Sequence, residues 1–263
     1  MKTKYMVLGG VLAGGLLAVI AAVSVSGKVT NGGTFPVEKL SGVYVGAGAG
    51  HIVIEGGAGG TVQVSPLDAA DVCEVTSKIS GRTLKIERNN DHDGVRSNCR
   101  IKLPAQLALE VSMAAGTLDI TGISGPVAIS KIAGEGHLSG LSGDLKLEMT
   151  AGSMSGEINP SKLSISGVAG KIKFTGLTGG ASVERDCGGL DLAWATTPSS
   201  AVNVKSDGGT ATFAFPADAK IKTELKTKEK GRIRNDFSGA EGTLVSVTMY
   251  GGDVNIIKAA KNK

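Results

Sequence analysis

Aromatic residues are scarce: 5 Phe, 3 Tyr and 1 Trp in 263 residues. A core with so few bulky anchors has to be filled by Val, Ile, Leu and Ala, and platforms for stacking sugars or nucleobases are few. Cysteine and histidine number only three each. His51, His92 and His137 lie too far apart for a local zinc site, and the cysteine spacing does not supply one. Long helical patterns are missing after residue 26. Glycine is abundant instead, at 40 residues, about twice the usual share. It lacks the collagen period, and a 41% hydrophobic content is too apolar for a disordered linker. Small aliphatic residues punctuated by Gly suit a repetitive, hydrogen-bond-rich β architecture. The net charge of +4 is modest.

Lys2 and Lys4 precede Met6–Ser26, a run of 21 residues without a charge. Two readings fit residues 1–27. A cleaved signal peptide would use small residues such as Ala22-Val23-Ser24 as its site, whereas a retained anchor would use residues 6–26 as a membrane-spanning helix. Gly10 and Gly14 match the spacing of small residues at membrane-helix contacts. Both readings put the remainder outside the cytoplasm: periplasmic, at the cell surface or secreted. Cys73 and Cys99 flank Glu74–Arg88, which reads as a hairpin. A disulfide would staple its ends in an oxidising compartment, and two small buried thiols are the alternative. Cys187 has no His within thirty residues and is expected as a packed core thiol.

A repeat organises the rest. Short alternating strands begin at Leu107, Val127, Leu145, Leu163, Ala181 and Val202; from Val127 to Ala181 the starts are 18 residues apart, and they loosen to about 20 on either side. Each is followed by Gly and a second strand, beginning at Gly116, Gly136, Gly152, Gly170, Gly189 and Gly209. Alternation puts one row of side chains inward. A two-stranded unit of this size cannot bury that row alone, so neighbouring units must stack. The expected fold is all-β: a Gly-punctuated β-solenoid, single-stranded and β-helix-like, with a regular antiparallel β-sandwich as the alternative. Residues 35–104 read as an irregular β-rich cap and 105–258 as the repeats.

The run Val43-Tyr44-Val45, His51-Ile52-Val53-Ile54, Val62-Gln63-Val64, then a hairpin and Ile101-Lys102-Leu103-Pro104 opening the repeats, resembles the bacterial putative-adhesin and head-GIN domain families across roughly residues 35–258. Ala115-Gly116-Thr117 and Ala169-Gly170-Lys171 stand where many head-GIN members carry Gly-Ser-Gly-Asp. The resemblance implies a solenoid-like body in an envelope or secreted protein and supplies no active-site residues.

Chemistry-bearing motifs are few. Asn89–Gly94 matches only the first half of a calcium loop, since Arg100 stands where a bidentate Glu belongs. Glu184-Arg185-Asp186 with Asp191 is the single dense carboxylate group, the remaining foothold for a carbohydrate-active enzyme on a β-helix. Thr117, Thr150 and Thr175 do not share a register, which disfavours an ice- or mineral-binding ladder. Lys220, Lys222, Lys226, Lys228, Lys230, Arg232 and Arg234 against Glu224 and Glu229 give residues 220–234 a charge of 7 − 2 = +5. That segment is the candidate contact with anionic polymers or lipid headgroups, or else a solvated edge strand whose lysines block pairing. The expectation is a non-catalytic, adhesin-like or structural envelope module without cofactor, metal or nucleic-acid partner. Its partners would be envelope or surface polymers or proteins, with self-association through an open end also weighed. A membrane-anchored scaffold or sensor is the runner-up.

Overall fold

The computed structural model describes residues 26–30, 33–88, 98–167, 169–229, 231–239 and 241–259. The apolar leader before Ser26, the calcium-like segment 89–94 and Lys230 lie outside the described residues. All twenty elements are strands. They are β1 (Ser26–Thr30), β2 (Gly33–Pro36), β3 (Gly42–Gly57), β4 (Thr61–Pro66), β5 (Glu74–Ser80), β6 (Thr83–Arg88), β7 (Cys99–Pro104), β8 (Ala108–Thr121), β9 (Val127–Ser139), β10 (Leu145–Glu157), β11 (Lys162–Gly167), β12 (Lys171–Leu177), β13 (Gly180–Arg185), β14 (Gly189–Trp194), β15 (Val202–Ser206), β16 (Thr210–Phe215), β17 (Ile221–Thr227), β18 (Ile233–Asn235), β19 (Thr243–Met249) and β20 (Asp253–Lys258). The all-β expectation holds.

The chain winds as stacked turns. Each turn lays one strand segment on a first stack and one on a second, and every pairing from β8 onward is parallel. That register is not an antiparallel sandwich. In the first stack Leu109, Val127, Leu145, Leu163, Ala181, Val202 and Val245 stand partner to partner. The offset from Leu109 to Ala181 is 18 residues per turn; Leu107 precedes the strand, so the looser spacing on that side disappears.

Alternation decides what is inside. The row just named and a second row, Val111, Ile129, Leu147, Ile165, Val183, Val204 and Val247, are buried. In the second stack the inner row is Ile120, Leu138, Gly156, Phe174, Leu192, Phe213 and Ile256. Gly156 sits between Leu138 and Phe174, and Gly136 beside Met154, where a Cβ would come within 2.6 Å of Met154 Cε. At Gly136 the missing Cβ leaves room for the Met154 side chain of the next turn, whereas at Gly156 the space is taken by the Leu138 backbone of the turn before. Beside this row Trp194 stacks on Phe215 at 4.6 Å and donates its Nε1 hydrogen to Gly179 O at 2.9 Å.

Between the two stacks each turn bends at a corner glycine. Gly50, Gly116, Gly134 and Gly152 pair in register, and Gly170, Gly188, Gly209 and Gly252 continue the column. Along this column a Cβ on one glycine would run into the carbonyl oxygen of the turn before it. Two corner residues are Gly134 and Gly188 rather than Gly136 and Gly189, because the latter lie one or two residues on, inside the second strands.

Both ends depart from sequence order. At the first end β6 and β7 form a turn that lies outside β3, although they follow it in the chain. The 35–104 segment therefore contributes two turns to the stack, along with the antiparallel strands that cover it. β5 covers β6 and β4 covers β7, with β1 and β2 outermost. The Cys73–Cys99 disulfide ties the start of β5 to the start of β7, with Cα atoms 5.1 Å apart. At the other end β19 and β20 stack directly on β15 and β16, and the earlier β17 and β18 lie outside them.

Candidate functional site

The basic segment forms the terminal turn of the stack. β17 pairs with β19 and β18 with β20, and neither has another strand partner among the described residues. Alternation sends Ile221, Thr223, Leu225 and Thr227 toward the interior and Lys222, Glu224 and Lys226 outward. The cations are not equivalent. Arg232 makes a forked contact with Asp253, the shortest at 2.7 Å, and Arg234 reaches Asp236 at 3.1 Å. These hydrogen bonds hold the Asp253 and Asp236 carboxyls below their ordinary pKa and raise that of Arg232. Lys228 lies over the Tyr250 ring at 4.2 Å with Nζ 3.1 Å from the hydroxyl, and Lys222 is 3.4 Å from Glu224. Lys220 and Lys226 are exposed. Arg232 therefore pins the start of β18 to β20, Arg234 is held within its own segment, and the lysines of β17 carry the outward charge. Ile233, at the inner position of β18, remains 45% exposed, with no further strand beyond it among the described residues.

The carboxylate group separates. Glu184 faces outward on the first stack beside Lys205, at 3.0 Å, and this hydrogen bond raises the Lys205 pKa. Asp191 faces outward on the second stack, in register between Lys173 and Thr212. They stand on different strand stacks, so the paired arrangement a glycosidase needs does not form from them. Arg185 points inward and is buried. Its guanidinium donates to Gly170 O at 2.8 Å and Gly189 O at 3.0 Å, and burial pushes its pKa down. The alternation Ala181, Val183, Arg185 carried this signal in the sequence. Cys187, expected in the core, is exposed. It sits in the corner after β13, where alternation no longer governs direction.

One pairing was invisible in sequence. His51 on β3 and Asp119 on β8, 68 residues apart, bring Nε2 and Oδ2 to 2.7 Å, and His51 N–H donates to Asn98 Oδ1 at 3.0 Å. His137 follows Asp119 one turn on. The described residues contain no group of three or more His, Cys, Asp or Glu side chains placed to hold a metal ion. Thr117 is in register with Glu135 and Thr175 with Glu157, so no threonine ladder runs through them. A shallow groove of about 470 Å³ crosses the starts of the first-stack strands, with Glu110, Asp144, Lys146 and Lys162 among its lining. No described helix is long and apolar enough to cross a membrane.

No protein-family model matches the sequence, and no curated protein matches it. Among solved structures, a putative cell adhesion protein from Clostridium sporogenes aligns over 88% of this chain and 100% of its own at 12% identity, with a TM-score of 0.25. A score that low does not establish a shared fold.

Proposed function

We propose that this chain is a non-catalytic β-solenoid module of a bacterial cell envelope, adhesin-like or structural, held outside the cytoplasm. The observation that carries the reading is the unbroken parallel stack of turns. Its ten turns (β6/β7, β3, β8, β9, β10, β11/β12, β13/β14, β15/β16, β19/β20 and β17/β18) follow from the strand pairings. At about 4.8 Å per turn they make a body roughly 43 Å long. Regular rows of small polar and charged side chains on such a body suit many weak contacts better than one deep pocket. The Cys73–Cys99 disulfide supports an oxidising compartment. The apolar run 6–26 serves as its signal or anchor.

The test is fractionation of the native host together with protease shaving of intact cells, following a C-terminal tag. Surface exposure, with binding of the purified chain to cells, envelope fractions or matrices, is the expected result. Retention in the cytoplasm would overturn the location, and absence of binding to all three would overturn the adhesin-like role. The basic terminal turn favours one second reading, a membrane-held scaffold touching anionic surfaces through Lys220, Lys222 and Lys226. Envelope association that does not weaken with salt would count against it.

A further inference from the structure

The two ends of the stack solve the same problem differently. A terminal turn of a parallel stack presents a row of unpaired backbone N–H and C=O groups on its outer edge, and the inner apolar row is uncovered there. At the β6/β7 end the chain covers both strands itself, with antiparallel β5 and β4. At the β17/β18 end no described strand does so: Ile221 is buried, with Gly239 close to its carbonyl oxygen, but farther along the inner residue Leu225 is partly exposed and Ile233 is 45% exposed.

We infer that the outer edge of β17 is a docking site for an extended segment of a partner protein, one that adds as an antiparallel strand and carries acidic, basic and acidic residues at alternate positions. The outward row of β17 reads Lys222, Glu224, Lys226. A strand laid against it places side chains directly opposite these three, where opposite charges attract and like charges repel. The complementary outward row is therefore acid, base, acid. Apolar residues between them face inward and cover Leu225. Because that pattern is symmetric, it fits in either chain direction; the antiparallel arrangement is the one the β5 and β4 covers use at the other end.

The charges also select against the obvious competitor. If a second copy paired its own β17 antiparallel about Glu224, Lys222 would face Lys226 and Glu224 would face Glu224. Moved so that Lys222 faces Glu224, the pairing sets Lys220 against Lys226 at both ends. The first register is thus repulsive at every pair and the second sets two Lys–Glu pairs against two Lys–Lys pairs, so the terminal turn gains little from its own kind and is open to an acidic strand, the usual logic of a charged edge. Arg232 and Arg234 are engaged by Asp253 and Asp236, so they brace the platform rather than receive the partner.

This inference rests on the reading of the chain as a binding module and narrows it to one surface and one partner chemistry. The probe is a fluorescein-labelled nonapeptide, Gly-Thr-Glu-Val-Lys-Val-Glu-Thr-Gly, titrated into the full chain by fluorescence anisotropy. Saturable binding is expected, weakened by about tenfold or more in the triple variant Lys222→Glu, Glu224→Lys, Lys226→Glu. That variant should instead bind the charge-inverted peptide Gly-Thr-Lys-Val-Glu-Val-Lys-Thr-Gly. Methylating alternate backbone nitrogens of the first peptide should abolish binding, which a loose ionic association would survive. Circular dichroism checks that the exposed substitutions leave the fold intact. Equal binding of both peptides to both proteins, binding unaffected by N-methylation, or a concentration-dependent dimer that the triple variant abolishes would each overturn the inference. Its outcome does not depend on cellular location, so a cytoplasmic chain would sink the envelope reading and leave this result standing.

Discussion

Replacing Gly152 by Ala is the sharpest probe of the stacked corners. Gly152 has φ +99°, in the region where an L side chain is strained by about 1–2 kcal/mol. A Cβ there would stand 2.6 Å from Gly134 N and 2.9 Å from Gly134 C, and closer still to its carbonyl oxygen. Ordinary carbon–oxygen contacts begin near 3.3 Å, and the Cβ would lie more than about an ångström inside that limit, so the two turns must part or twist at a point where strands sit about 4.8 Å apart. Those atoms are backbone, flanked by ladder bonds on both sides, and cannot swing aside. Weakening two or three such bonds at about 1 kcal/mol each, added to the strain, gives a cost of roughly 3–5 kcal/mol. That is a large share of a typical folding stability of about 5–15 kcal/mol. The matched control is Gly60→Ala, where no atom lies within 4 Å of the new Cβ and φ is not left-handed; it should change stability by less than about 0.5 kcal/mol. Urea unfolding followed by circular dichroism measures both, and hydrogen exchange should locate the loss of protection at the turns of β9 and β10. Gly152→Ala within about 0.5 kcal/mol of the parent, or equal losses in both variants, would refute the close-approach argument.

Other consequences follow from particular contacts. Opening the Cys73–Cys99 disulfide, which spans 26 residues, should lower stability by about 3–4 kcal/mol on the chain-entropy account; thermal scans with and without reductant, and of the double Ser variant, measure it. Arg185→Lys should cost about 1–3 kcal/mol, because a single ammonium cannot span Gly170 O and Gly189 O as the planar fork does; the urea midpoint reports it. The carboxyls of Asp253 and Asp236 have lowered folded pKa values, so the stability they lend is present above the unfolded Asp value of about 3.9 and is lost as pH falls through the folded values. Hydrogen exchange at β18 should therefore accelerate in that acid window. Arg232→Gln should remove the Asp253 share of the effect.

How much of this was legible in the sequence depends on whether the governing interaction is local. Alternation, the 18-residue period and recurrent Gly made the all-β class readable, because each turn repeats one local solution: inner aliphatic, outer polar, glycine at the bend. The same alternation marked Arg185 as inward. Its neighbours Glu184 and Asp186 drew it into a charge cluster because net charge along the chain says nothing about which face a side chain takes. Cys187 failed for the complementary reason, since it lies at a corner where the period-2 rule lapses.

What the tertiary structure alone decided is the order of the turns and the partners across them. Sequence order places β19 and β20 last, but they stack on β15 and β16 and push the lysine-rich β17 and β18 to the outside. Nothing local distinguishes those arrangements, because Val245 and Leu225 are both acceptable inner residues; which one ends up with two neighbouring turns is settled by total burial. The same holds for β6 and β7 outside β3, and for His51 meeting Asp119 across 68 residues. Composition and period determine that the chain must stack, whereas only long-range packing determines which turn is left at the end with an open edge.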